Sequence, residues 1–133
     1  MSEIIVDAKT ENLETINDFI ADNLMGCPMK LLMQIDLVVE EVFVNIANYA
    51  YKDKNGKAKI SCDLNPETNL LTIVFEDDGI PFDPLAKDDP DITASAEERE
   101  IGGLGIFLTK KLMDEVNYEN KNGKNILTLV KKI

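Results

Sequence analysis

The chain contains no histidine and only two cysteines, Cys27 and Cys62, in 133 residues. Without histidine there can be no Ser-His-Asp triad and no Cys-His pair. With the two thiols far apart and no CxxC, the usual zinc sets are excluded too. Both cysteines read as reduced, partly buried residues. Cationic side chains are also scarce: 14 Lys and Arg against 25 Asp and Glu leave a net charge of −11. That balance argues against nucleic-acid binding, which needs clustered positive charge. It does not exclude a small polyphosphate, because backbone N–H groups and a metal ion can supply positive potential locally. No apolar run approaches the ~20 residues a membrane helix requires. The N-terminal MSEIIVDAKT lacks a basic region, an apolar stretch and a small-residue cleavage site, so the expectation is a cytoplasmic protein with no membrane contact.

What remains suits one domain, residues 1–133, long enough to bury its own core. Glu3 to Ala8 reads as a short strand. From Asn12 to Met25, Leu13, Ile16, Phe19, Ile20 and Leu24 recur at helical spacing, and Gly26 follows as a stop. The longest periodic segment runs from Pro28 to Tyr51, with Leu32, Ile35, Val39, Val42, Phe43, Ile46 and Ala50 on one apolar stripe. Two strands follow, Ala58 to Asn65 and Leu70 to Asp77. The second is apolar along most of its length, which places it inside a sheet.

From Asp78 to Ile101 the chain is polar and proline-punctuated, and a loop that long in a compact domain is expected to be a functional lid. After it come the glycines of IGGLG, a helix through FLTKKLMDEV, and strands at Asn117 to Lys121 and Ile126 to Ile133 joined by an NGKN turn. Strands and helices are grouped and do not alternate strictly. This order predicts an α+β two-layer sandwich, with a mixed, mostly antiparallel sheet and helices on one face.

Three polar patches interrupt this pattern. Glu41 and Asn45 lie four apart on the central helix and face the same way. An amide oxygen is a hard ligand for Mg²⁺, and a carboxylate beside it can orient or deprotonate an attacking hydroxyl. In the second patch, Asp77 and Gly79 end an apolar strand. A carboxylate there can accept from an exocyclic amine, while a glycine lets the backbone approach a flat ring. The third is the run Gly102, Gly103, Leu104 and Gly105 opening a helix, where bare N–H groups can cradle phosphates. No GKS or GKT follows, so this is not a Walker loop.

Taken in order, VVEEVFVNIANYAY, DDGIPFDP and REIGGLGIFLTKKLMDEV resemble the three sequence boxes of the Bergerat-fold ATPases. That group includes histidine kinases, gyrase and the heat-shock chaperone ATPase. The chain looks most like the small bacterial anti-sigma regulatory factors with serine protein kinase activity. The resemblance implies the Bergerat ATP-binding fold, with ATP and Mg²⁺ as cofactors. It makes Asn45 the Mg²⁺ ligand, Glu41 the general base and Asp77 the reader of the adenine amine. Gly79 would permit close approach beside the base, and Gly103 and Gly105 would line the phosphates. Arg99 stands where many relatives have a basic residue, and Thr128 matches a position near the adenine.

The implied activity is ATP-dependent phosphorylation of serine or threonine on a small anti-anti-sigma type partner, with a sigma factor or similar regulator as competing client. A homodimer is also suggested. Tyr49, Ala50 and Pro81 depart from the family pattern, where histidine, glycine and glycine often stand. The rival readings are a non-catalytic, nucleotide-gated partner-switching module and a detached histidine-kinase catalytic domain whose acceptor lies in another chain.

Overall fold

The computed structural model describes residues 1–51, 55–81 and 103–133, with side chains in the last stretch from residue 107 onward. In chain order the elements are β1 (Ser2–Asp7), a short 3₁₀ turn (Thr10–Asn12), α1 (Leu13–Asn23) and α2 (Met29–Asn45). A π-helical turn (Ile46–Ala50) follows, then β2 (Lys57–Asn65), β3 (Leu70–Asp77), α3 (Gly103–Leu112), β4 (Glu115–Lys121) and β5 (Lys124–Lys132). The strands form one sheet in the order β1-β2-β3-β5-β4. Every neighbouring pair in it is antiparallel. The expected mixture is therefore an antiparallel sheet among the described residues, with apolar β3 in its middle as anticipated.

Side chains alternate across a strand, so the register sorts residues into rows on each face. Ile4, Ile60, Phe75, Leu127 and Tyr118 make one row on the inner face, and Cys62, Ile73, Leu129 and Val116 make part of the next. These rows pack with Ile16, Ile20 and Leu24 of α1 and with Leu31, Ile35, Val38, Val39, Val42 and Phe43 of α2 in a single apolar core. Removing each such side chain from water is worth about 1.5–3 kcal/mol, so the match of inner rows to helix stripes holds the layers together. The outer face carries an ionic ladder. Lys59 reaches Glu3 at 3.3 Å and Glu76 at 3.2 Å, and Lys124 lies 4.0 Å from Glu76. Solvent screens these pairs, so each contributes little to stability.

Turn chemistry matches the sequence. Asn122 and Gly123 both take left-handed backbone (φ 57° and 78°), the two-residue turn that suits the twist of a hairpin. Both cysteines are free. Burial pushes the Cys62 thiol up to about 11, which keeps it protonated and inert.

Among the boundaries that differ from expectation, two helix ends have a clear physical cause. The central helix does not stay α-helical to Tyr51: after Asn45 it widens into the π turn, where Ala50 meets the loop after β3 and its carbonyl accepts from Ile80 N–H at 2.8 Å. Nor does α3 continue to Val116. Met113 N–H closes the helix on Thr109 O at 3.0 Å, and Asp114 N–H then donates to Val130 O at 2.9 Å, so the chain enters the sheet.

Candidate functional site

One inner row breaks the apolar rule. Across the five strands it runs Val6, Ala58, Asp77, Asn125, Asn120, turning from apolar to polar at the sheet's centre. Asp77 is 7% exposed and Asn125 6%. A carboxylate so enclosed must be hydrogen-bonded. Its Oδ1 accepts from Gly79 N–H at 2.9 Å and from Asn125 Nδ2 at 3.0 Å. Burial pushes the carboxyl above its usual range. The bonds from Asn125 and Gly79 pull it back down, and the charge of Asp78 pushes it up again. Among the described residues both of these donors serve Oδ1, and none serves Oδ2.

The turn after Asp77 is clamped from the helix side. A Cβ on Gly79 would sit 2.3 Å from the carbonyl oxygen of Ala50 and 2.6 Å from its carbonyl carbon. The close approach that needs a glycine here is thus that of the chain to itself. Tyr51, the next residue, donates its O–H to Lys57 O at 2.6 Å and accepts from Asp78 N–H at 2.9 Å. One phenol thereby ties the start of β2 to the end of β3. Tyr51→Phe is expected to lose about 1–2 kcal/mol of stability in urea denaturation, the worth of two partly exposed hydrogen bonds.

The same clamp connects Asp77 to the other candidate residues on α2. Asn45 is the last residue of that helix and Glu41 lies one turn before it. Both are half-buried, and among the described residues neither makes a side-chain hydrogen bond or ion pair. Only the π turn separates Asn45 from Ala50 and its bond to Ile80.

Gly103, Leu104 and Gly105 form the first turn of α3, and α3 packs against α2. The N–H groups of such a first turn have no intrahelical partner and favour anions. Gly102 and Arg99, together with the expected lid from residue 82 onward, lie outside the described residues.

The donor set suits Mg²⁺ held mainly by phosphate. Among the described residues no group of three or more His, Cys, Asp or Glu could enclose a metal. Magnesium retains several waters and takes its remaining ligands from phosphates and one or two side chains, so a lone amide oxygen at Asn45 fits.

One predicted residue is not with the others. Thr128 pairs with Val74 and Asn117, out of phase with the Asp77–Asn125 row, and so lies on the outer face of the sheet. The β5 residue beside Asp77 is Asn125. Its Nδ2 also donates to Ile80 O at 2.9 Å, and its Oδ1 accepts from Tyr118 O–H and from Asn120 Nδ2 at 3.1 Å. Sequence reasoning missed Asn125, Tyr118 and Asn120. The available signal was that Asn125 is in phase with the buried Leu127 and Leu129.

Comparison with known proteins gives the family. The family of histidine kinase-like ATPase domains matches residues 6–131. The chain is 30% identical to the serine-protein kinase RsbW of Bacillus subtilis (strain 168) over 105 residues, covering 77% of this chain and 66% of that protein, just under two thirds. It is also 30% identical to the serine-protein kinase RsbW of Bacillus cereus (strain AH820) over 131 residues, covering 94% of this chain and 81% of the other. Among solved structures, the histidine kinase domain of the blue-light activated histidine kinase from Erythrobacter litoralis EL346 shares the fold. Its TM-score is 0.59 at 20% identity, over 92% of this chain and 60% of that one. An inner sheet face that turns polar at Asp77, a helix ending in Glu41 and Asn45 clamped to it, and a match spanning nearly every residue lead to one statement: the chain belongs to the histidine kinase-like ATPase domain family.

Proposed function

We propose that the chain binds ATP with Mg²⁺ and acts as an anti-sigma type serine/threonine protein kinase on a small partner protein of the anti-anti-sigma type. The observation that carries this reading is the backbone bond between Ala50 and Ile80, which joins the helix bearing Glu41 and Asn45 to the turn bearing Asp77. In it Asp77 accepts from the adenine amine, the first turn of α3 and Arg99 receive the phosphates, and Asn45 holds the metal. Bound Mg²⁺ would neutralise phosphate charge. Glu41 orients the partner's hydroxyl and takes its proton as the oxygen bonds to the γ-phosphorus and the bond to the leaving ADP breaks. With few groups to do covalent chemistry, the protein's contribution is positioning. The names of the RsbW relatives, serine-protein kinases at 30% identity, support the reaction class. Among the described residues no helix is long and apolar enough to cross a membrane.

Two measurements test the proposal. In thermal melts Mg-ATP and Mg-ADP should each raise the midpoint and Mg-GTP should not. A ligand at a hundred times its Kd adds about 2.7 kcal/mol to the folded state. With labelled ATP and an anti-anti-sigma type protein from the same organism, the wild type should yield phosphoprotein, while Glu41→Ala should bind ADP normally and transfer at most about 1% as fast, the scale of a lost general base. Nucleotide binding without phosphoprotein in the wild type would remove the kinase claim and leave a nucleotide-gated partner-switching module.

A further inference from the structure

Asn125 is almost wholly enclosed, and every hydrogen-bonding position of its amide is used. A carboxamide has two N–H donors and two acceptor sites. Here Nδ2 donates to Asp77 Oδ1 at 3.0 Å and to Ile80 O at 2.9 Å, with Gly79 O farther off at 3.5 Å. On the other side Oδ1 accepts from Tyr118 O–H and Asn120 Nδ2. A flipped amide would set its oxygen against a carboxylate and a carbonyl, and its N–H groups against two donors, so the orientation is fixed by its partners. Nothing on this side chain is left for a ligand. Whatever Asn125 contributes to binding passes through Asp77 and the Gly79–Ile80 backbone.

We infer that Asn125, oriented by Tyr118 and Asn120, is a positioning residue that makes Asp77 a one-sided acceptor and thereby sets selectivity for a 6-amino over a 6-oxo purine. The inference rests on the reading of Asp77 as the adenine contact. With Oδ1 occupied by Gly79 N–H and Asn125 Nδ2, the carboxylate cannot turn to share its oxygens differently, and Oδ2 is presented in one direction as a pure acceptor. An exocyclic amine satisfies that oxygen. A 6-oxo group meets it with a lone pair and is rejected, because an unmatched polar pair in a buried site forfeits the interaction and leaves a desolvated group behind.

Removing Asn125 takes away both the anchor and a donor that favours the ionised form, in a place where burial already disfavours it. A protonated Asp77 could donate to a 6-oxo group, so discrimination should fail most at lower pH. Among the described residues, the titratable groups near Asp77 are Asp78 beside it, Tyr51 across the turn, and Tyr118 through Asn125; Ala58 and Ala50 on the packed elements carry no charge.

The test is calorimetric titration of the full chain with Mg-ADP and Mg-IDP between pH 6 and pH 8.5, alongside melts that confirm folding. Wild type should prefer ADP across this range. Asn125→Leu should bind ADP at least tenfold more weakly, with the ADP to IDP ratio falling towards one as the pH is lowered. Asn125→Thr, which keeps one donor towards Asp77, should recover part of the ratio. Tyr118→Phe, which touches only the amide oxygen, should lower the ratio in the same direction by a smaller factor. If either Asn125 variant does not fold, Tyr118→Phe alone decides. An unchanged ratio in the folded variants, with wild type still preferring ADP, would overturn the role of Asn125 and leave the adenine reading intact. A wild type that binds neither nucleotide would remove that reading and this one with it.

Discussion

Asp77→Asn should strongly weaken ADP binding, leave the unliganded protein at least as stable as the wild type, and raise the affinity for IDP. The argument depends on where the two donors lie. Gly79 N–H and Asn125 Nδ2 both point at Oδ1, so an asparagine at 77 keeps its carbonyl oxygen there and turns its NH₂ to the Oδ2 position. Proposed as the seat of the adenine amine, that position would then set donor against donor. A hydrogen bond to a charged group is worth about 1.5–3 kcal/mol, so ADP affinity should fall at least about tenfold to hundredfold. The 6-oxo group of IDP is an acceptor and fits the new NH₂.

The stability half follows from linkage. Burial holds the folded-state pKa of Asp77 above its ordinary value. Such a group contributes stability in full below its unfolded pKa, and that contribution is lost as pH rises through the raised folded value. At neutral pH the ionised carboxylate is the less favourable form for the unliganded fold, and a neutral amide of the same shape escapes that cost. The midpoint difference between variant and wild type should therefore be positive at pH 7–8 and narrow towards pH 4. A variant less stable than wild type at pH 8, or one that still binds ADP normally, would contradict the assigned geometry.

The sequence carried most of the architecture because each layer had a clear period. In α1, Ile16, Ile20 and Leu24 are buried as their spacing requires. The β3 segment alternates buried and half-buried residues to its end at Asp77. Three features escaped for physical reasons. The π turn cannot be told from α-helix by apolar spacing, since Ile46 and Ala50 continue the stripe while a bond to Ile80 decides the backbone. In β5 the phase is hidden, because Ile126, Leu127, Leu129 and Val130 are apolar on both faces of the sheet. Thr128 could therefore be assigned to the site although the register puts it opposite. The role of Asn125 could not be read along the chain at all, because it arises from a pairing with Asp77 forty-eight positions away. Glu41, Asn45 and Asp77 could be proposed from the sequence because each is a polar residue at an element end or helix margin beside apolar neighbours, and Gly79 because it follows a strand end.

Gly79→Ala should be the most damaging single-methyl change at the candidate site, costing about 2–4 kcal/mol of stability from overpacking together with a lost buried hydrogen bond. The backbone there is not in the left-handed region, so the cost is one of space. The added Cβ would lie 2.3 Å from Ala50 O and 2.6 Å from Ala50 C, both main-chain atoms that no rotamer can move. The turn must lift away, which breaks the 2.8 Å bond from Ile80 N–H to Ala50 O and draws Gly79 N–H off the Asp77 carboxylate. Nucleotide-induced stabilisation should vanish with it, even under conditions where the variant remains folded.

Two controls separate this from a general intolerance of alanine. Gly26→Ala, at φ 88° with nothing within 4 Å, should cost only about 1 kcal/mol and leave binding untouched. The double variant Gly79→Ala with Ala50→Gly removes the Ala50 Cβ, 2.6 Å from the added methyl, but leaves the carbonyl in place, so it should not recover wild-type stability. Full recovery in denaturant melts would show that side-chain crowding, and not the Ala50 carbonyl, dictates the glycine. The helix carrying Glu41 and Asn45 would then be joined to the Asp77 turn less rigidly than the backbone bond implies. Failure to recover, with binding lost, is the result the clamp requires.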